Sequence, residues 1–398
     1  MSQNNEVTIH QIPERDAVLS DDTDHISNPI SQLYLISYLT LFAISGTLAR
    51  LGIQLLTSYD NAPITFNSLW YNLIGCFIMA FLVEDCIIFS YGHWTSLYHQ
   101  NLVELQQNIS SNRETMILDM ETIKKSYQSR KKLSPLYIGL TTGFCGSFTS
   151  FSSFIRDTFL AMANFLSKNR NNIGEAPLNF PPPFNAGYSL MATISVITLT
   201  ILGCFSAWLF GVHLAHTLNQ LKPRFSIKLD HWFICGITVF LAASAWITII
   251  LYIIFRHDWL SSKTLNTRGS ILFSLAFAPS GCLCRFYISM FLNGKITIFP
   301  LGTLTSNILG TVVLGISYDL QHVPVGGIIE CQVLKGIQDG FCGCLTTVSS
   351  LVAELFSLEK SHAYLYCAVS IVVCLCLLIV INGSMLWTKG FIEPICSH

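Results

Sequence analysis

Charge is scarce in this sequence. Only 11% of its 398 residues are Asp, Glu, Lys or Arg and 51% are hydrophobic, whereas a soluble domain carries about 25% charged residues. That deficit, with a mean hydropathy of +0.52, makes the chain an integral membrane protein. A basic surplus is lacking too: the net charge is -1, which argues against a nucleic-acid binder. The head, residues 1–31, lacks the basic start and apolar core of a signal peptide. Its Glu6, Glu14, Asp16, Asp21, Asp22 and Asp24 face Arg15 alone, the composition of a disordered cytosolic segment. No catalytic triad, phosphate loop or nucleotide fingerprint is present. Cysteine is plentiful at 14, but most fall inside apolar runs (Cys282, Cys284, Cys374, Cys376), where the thiol acts as a small hydrophobe. No disulfide framework is expected.

What is there is apolar length. A bilayer needs about 20 apolar residues per helix, and nine segments qualify: 33–57, 67–90, 135–165, 187–214, 232–255, 270–292, 299–320, 332–358 and 362–387. The long polar loop, 91–134, spaces Leu102, Leu105, Ile109, Met116, Met120 and Ile123 as in an amphipathic helix, and Pro181–Pro183 stiffen a surface loop.

A twelve-residue stretch occurs twice inside these runs. Gly143-Phe-Cys-Gly-Ser-Phe-Thr-Ser-Phe-Ser-Ser-Phe154 recurs as Gly340-Phe-Cys-Gly-Cys-Leu-Thr-Thr-Val-Ser-Ser-Leu351, offset by 197. Two glycines and a hydroxyl cluster are poor helix material, each Gly costing about 1 kcal/mol against Ala. Irregular backbone at membrane depth survives only where protein buries it or it lines a wet cavity. The expectation is a broken helix at mid-membrane, used twice, opening at Gly146 and Gly343. Ser45–Arg50 likewise matches Ser280–Arg285, and Ser68–Gly75 matches Thr303–Gly310, both offset by 235. Each half is therefore a four-helix unit, and the fifth segment matches neither.

That unmatched helix sets the geometry, because four helices plus one return the chain with opposite sense and invert the second unit. The division is a head (1–31), a first unit (32–218) containing loop 91–134, a linker (219–265) with helix 232–255, a second unit (266–388) and an extracellular tail (389–398). Outside the helices, 12 basic residues lie on the N-terminal side and six opposite. Positive-inside then puts the N-terminus in the cytosol and the C-terminus outside. Inverted repeats with broken helices place a binding site or pathway at the repeat interface near the midplane.

At the breaks, the carbonyls of Gly146, Thr149, Gly343 and Thr346 lose helical donors. Four such oxygens suit a small hard cation such as Na⁺; the plainer reading is a small-residue contact between helices. Phe151 and Phe154 share a helix face, and their ring edges can receive a dehydrated anion, although a Phe stripe is more often core. Val348 and Leu351 replace them in the second copy. Asn72 and Asn307 each follow a hydroxyl by one turn, Ser68 and Thr303, a ladder that suits either an anion track or helix–helix bonding. Tyr366 and Ser370 extend it. Ser152, Ser153, Ser349 and Ser350, which close the two copies, are assigned to the same anion pathway. Arg50 and Arg285 are intramembrane charges near enough to helix ends to snorkel, with a structural or vestibule role. His213 and His216 lack a third metal ligand.

Gly-Phe-Cys-Gly-x-x-Thr-x-x-Ser-Ser in a third helix, after a Gly/Arg first helix and an Asn-x-x-Gly second helix, resembles the Fluc/CrcB fluoride channels. Two units joined by an extra helix look like its eukaryotic two-domain branch, the fluoride exporters (FEX). The resemblance covers about 33–387 except the fifth segment. It implies passive, selective fluoride conduction out of the cytosol across the plasma membrane by a single-chain pseudo-dimer in the lipid bilayer. It also implies a structural Na⁺ on the carbonyls of Gly146, Thr149, Gly343 and Thr346, an aromatic box at Phe151 and Phe154, and pore amides at Asn72 and Asn307. Ser147 and Cys344 depart from a common second Gly, and Val348 and Leu351 break the second box, so one conducting and one degenerate pore are expected. A proton-coupled antiporter would need an intramembrane carboxylate, for which Glu84, Asp85, Asp157, Asp319, Asp339 and Glu354 stand near helix ends. An enzyme using Cys145 or Cys342 would lack an adjacent base.

Overall fold

Long apolar runs with few breakers dictate helices, and helix is the only regular structure among the residues that the computed structural model describes: 29–59, 62–84, 128–129, 131–166, 186–221, 231–255, 266–296, 299–323 and 326–392. Residues 1–28 of the expected disordered head, the amphipathic helix over 102–123 and the Pro181–Pro183 loop lie outside them; residues 29–31, expected to end the head, are helical and open the first helix. In chain order the helices are α1 (Pro29–Thr57), α2 (Ser68–Glu84), α3 (Phe151–Met162), α4 (Ala186–Leu221), α5 (His231–Phe255), α6 (Asn266–Leu292), α7 (Leu301–Gln321), α8 (Val348–Ser357) and α9 (Lys360–Leu378). Lead arms precede α3 and α8. The first comprises Pro135–Ile138, a π-helical turn Gly139–Cys145 and a short turn Gly146–Phe148; the second comprises Ile328–Gly336, Ile337–Cys342 (π) and Gly343–Leu345. A further π-helical turn, Ile379–Gly383, follows α9.

Seven of these helical stretches are long and apolar enough to cross a membrane. The remaining two of the nine expected segments differ: α2 has 17 residues, ending at Glu84 within the described region, and 135–162 is divided between its arm and α3. The fourth segment runs further than expected, from Ala186 to Leu221. Pro135 starts the first arm, where a missing N–H costs nothing. Eleven described cysteines are free, as expected of apolar thiols. Cys331 is disulfide-bonded to a partner outside the described residues, one bond where none was foreseen.

Small residues let helices within each half approach closely. A Cβ at Gly46 would stand 2.6 Å from the Phe144 carbonyl, and one at Gly281 would fall on the Phe341 carbonyl, so α1 and α6 each cross a π-helical turn at backbone contact. α5 lies against α1 and α6, and Trp246 Nε1 donates to the Ala276 carbonyl at 3.1 Å. α3 packs against α4 of its own half and against α7 and α9 of the other; α8 packs against α9 of its own half and against α2 and α4 of the other. The largest apolar core gathers around both motif copies, with Phe151, Phe154, Val348, Leu351 and Tyr366 fully buried. Gly46→Leu should destabilise the fold by about 1–3 kcal/mol through overpacking. Gly52, where a Cβ meets nothing within 4 Å, should accept Leu without change; melting of the purified protein in detergent checks the contrast.

Candidate functional site

Each lead arm stops being helical at the same place. Thr149 (φ −90°, ψ 155°) and Ser150 (φ −145°, ψ 116°) are extended before α3. Thr346 (φ −100°, ψ 151°) and Thr347 (φ −151°, ψ 135°) repeat this before α8. The helices therefore open three residues beyond the expected Gly146 and Gly343, both of which keep helical dihedrals. The glycines serve packing: a Cβ at Gly146 would strike the Arg285 guanidinium, and one at Gly343 that of Arg50.

Two asparagines hold the extended residues. Asn72 Oδ1 accepts the Ser150 N–H at 2.9 Å and its Nδ2 donates to the Ser150 carbonyl at 3.3 Å. Asn307 treats Thr347 likewise, at 2.9 and 3.5 Å. In a continuing helix Ser150 N–H would serve the Gly146 carbonyl and Thr347 N–H that of Gly343; both are diverted. Ser153 N–H, due to Thr149, goes instead to Ser150 Oγ, and Ser350 N–H goes to Thr347 Oγ1, each at 3.3 Å. These are N-caps. All four carbonyls named from the sequence thus lack their helical donors.

The breaks then cap each other. Thr149 Oγ1 donates to its own Cys145 carbonyl (3.1 Å) and accepts the Ser349 N–H of the opposite half at 3.2 Å. Thr346 Oγ1 donates to Cys342 (2.9 Å) and accepts Ser152 N–H at 3.0 Å. Ser349 Oγ donates to the Cys145 carbonyl at 3.2 Å, and Ser152 Oγ lies 3.0 Å from Thr346 Oγ1. The two helix starts are fixed by hydroxyls exchanged across the junction. Arg50 and Arg285 brace it. Neither snorkels: both are buried, Arg50 Nη2 donating to the Asp339 carbonyl, Arg285 Nε to Cys344 (2.8 Å) and Arg285 Nη2 to Thr142 (2.7 Å). The snorkelling expectation fails because carbonyls of the arms and of the short turn after the second arm's π-helix take up the guanidinium donors.

Around this common junction the two sides differ. On the side where α3 meets α7 and α9, Phe151 and Phe154 stand edge to face, centroids 5.8 Å apart. Thr303 Oγ1 donates to Glu354 Oε1 (2.5 Å) and Tyr366 OH to Glu354 Oε2 (2.8 Å). The Tyr366 ring packs against Phe299 at 4.9 Å, and Ser370 Oγ donates to the Tyr366 carbonyl (2.7 Å), inside its own helix. On the side where α8 meets α2 and α4, Val348 and Leu351 replace the rings. There Tyr188 is 74% exposed. Asp157 accepts the Ser68 N–H (3.2 Å) and pairs with Arg156 (3.3 Å). Glu354 and Asp157 were not foreseen as site residues, although they lie at equivalent positions, 197 apart, just past the end of the repeated stretch. Among the described residues no cluster of three or more His, Cys, Asp or Glu could hold a metal.

Removing an asparagine leaves a buried N–H without its acceptor, which costs about 1–3 kcal/mol. Asn72→Leu and Asn307→Leu should therefore both lower the melting temperature, while Asn→Asp, which keeps the acceptor, should lower it less.

The comparisons with known proteins agree with this layout. The family described as CrcB-like protein, Camphor Resistance (CrcB), matches residues 37–212 and 272–383, one match in each half. "Fluoride export protein 1" of Neurospora crassa is 43% identical over 96% of this chain and 72% of its own length. That of Candida albicans is 31% identical over 87% and 79%. "Fluoride-specific ion channel FluC" of Geotalea daltonii is 32% identical over 27% of this chain and 88% of its own length, a relative of one half's size. No solved structure matches. The chain belongs to the CrcB family and carries two CrcB-like halves in one polypeptide.

Proposed function

We propose that the protein is a fluoride-selective channel that lets fluoride leave the cytosol passively, working as a single-chain pseudo-dimer. Its two units lie inverted across the plasma membrane, with the breaks at mid-depth, the N-terminus in the cytosol and the C-terminus outside. The observation that carries this reading is the asymmetric furnishing of a symmetric junction. Both sides share the breaks, yet one alone combines Phe151 and Phe154 with Thr303, Asn307, Tyr366 and Ser370. That side is the conducting pathway: hydroxyl and amide donors replace the water that an anion sheds, and polarised ring edges accept it where donors run out. The side of Val348, Leu351, Ser68 and Asn72 is the degenerate one.

The junction itself is a cation site in this reading. Gly146, Thr149, Gly343 and Thr346 supply four carbonyls deprived of helical donors, a hard-oxygen set suited to Na⁺, whose charge would hold four like dipoles together. A proton-coupled antiporter is the second reading, resting on Glu354, a carboxylate held by two hydroxyls beside the furnished pathway.

Liposomes containing purified protein and loaded with fluoride should empty with no other gradient imposed; flux only against an opposing proton gradient would establish the antiporter instead. Asn307→Asp should slow efflux about tenfold or more, about 1.4 kcal/mol of barrier, and Asn72→Asp much less; equal losses would overturn the assignment of sides. Replacing Na⁺ by a large organic cation should lower the melting temperature even in protein that carries no flux.

A further inference from the structure

The two halves differ at one more pair of equivalent places. A cavity of about 130 Å³ lies at the end of the bundle where α1 finishes, with Gln54, Ser58, Ser270, Ser274, Lys335 and Asp339 in its lining. Ser270, Ser274, Lys335 and Asp339 correspond, by the repeat offsets, to Leu35, Leu39, Ile138 and Thr142. At the opposite end Leu35, Leu39 and Ile138 belong to a packed apolar cluster with Ala43, Ala278 and Phe286. Where one half fills the space with leucines, the other leaves it open and lines it with hydroxyls and an ammonium.

The charge around the open end is unequal as well. Lys335 Nζ pairs with Asp339 Oδ2 and Arg156 with Asp157, each at 3.3 Å. Arg50 donates to the Asp339 main-chain carbonyl while its Nη1 is buried without a hydrogen-bond partner. Asp339 feels all three cations. The other end holds Arg285 and Glu354 at the places of Arg50 and Asp157, with Ala353 and Ile138 at those of Arg156 and Lys335. At these equivalent places three cations and two carboxylates stand against one and one; Asp319, which acts on Tyr318 together with Arg156 and Asp157, is a further carboxylate at the open end. Leu51, Leu55 and Ile271 form apolar walls, which strengthen electrostatic attraction within the cavity relative to open water.

We propose that this cavity is a second anion site, taking one small inorganic anion beside Lys335 and loading only that end of the channel. The proposal rests on the channel reading and assigns fluoride as the anion that occupies the site during transport.

Single channels in planar bilayers, titrated with fluoride from each side in turn, test it without knowledge of orientation. In the wild type the half-saturating concentration should be lower on one side by about three- to tenfold, the influence of one close, partly screened charge. Lys335→Met should abolish the difference, and so should Ser274→Leu, which refills the cavity as Leu39 does and leaves every charge in place. Lys335→Arg should keep it. Equal half-saturation on both sides of the wild type, or a difference that survives both variants, would overturn the proposal. If no channel carries current, the channel reading fails, and the cavity is judged by melting in sodium fluoride instead. A fluoride-dependent rise lost in Lys335→Met and Ser274→Leu upholds the cavity; an equal rise in all three proteins refutes it.

Discussion

The structure depends on an exchange of hydroxyls between two interrupted helices. Thr149 caps the start of α8 and Thr346 caps the start of α3, so neither break is satisfied by its own half alone. In a hydrocarbon environment an unpaired backbone group costs several kcal/mol. Two broken helices are therefore tolerable only together, and each makes the other obligatory. The surrounding glycines follow from this constraint. Gly146 and Gly343 admit the bracing arginines, Gly75 and Gly310 leave room for the Thr149 and Thr346 methyl groups, and Gly46 and Gly281 bring α1 and α6 onto the arms.

What the junction does not need has diverged. The threonines, asparagines and arginines that hold the breaks are present in both halves: the asparagines fix the break of their own half, and the threonines and arginines reach into the opposite one. Residues facing away from the junction serve one side alone. There the rings of Phe151 and Phe154 give way to Val348 and Leu351, the Glu354–Tyr366 bond to an Arg156–Asp157 pair, and a leucine-filled space to a cavity. The chain thus carries one scaffold in both halves and two different linings around it.

Much of this was legible in the amino acids, because a duplicated motif reveals its own constraints. The repeat offsets located both breaks, and hydropathy located the nine segments. The breaks fell three residues later than expected, since the extended backbone of Ser150 and Thr347 is imposed by Asn72 and Asn307 from other helices, a tertiary effect with no local signature. Of the two roles that spacing allowed the asparagines, an anion track or bonding between helices, the structure adds a hold on the extended main chain of the breaks. Arg50 and Arg285 looked free to snorkel because spacing along a helix says nothing of carbonyls on a neighbour. Glu354 and Asp157 were read only as carboxylates near helix ends and not as a matched pair, because they stand beyond the matched stretch and are different residue types. The π-helical turns left no trace in periodicity over so few residues.

The central claim is that one junction supports two sides of which only one conducts. Single-channel recording of Phe151→Ile beside Val348→Ile tests it most directly, since the two positions are equivalent, both are buried, and neither carries a polar group. The account predicts that the first substitution abolishes or sharply reduces fluoride current and the second leaves conductance as in the wild type. Equal reduction by both substitutions, or a loss confined to Val348→Ile, would contradict it.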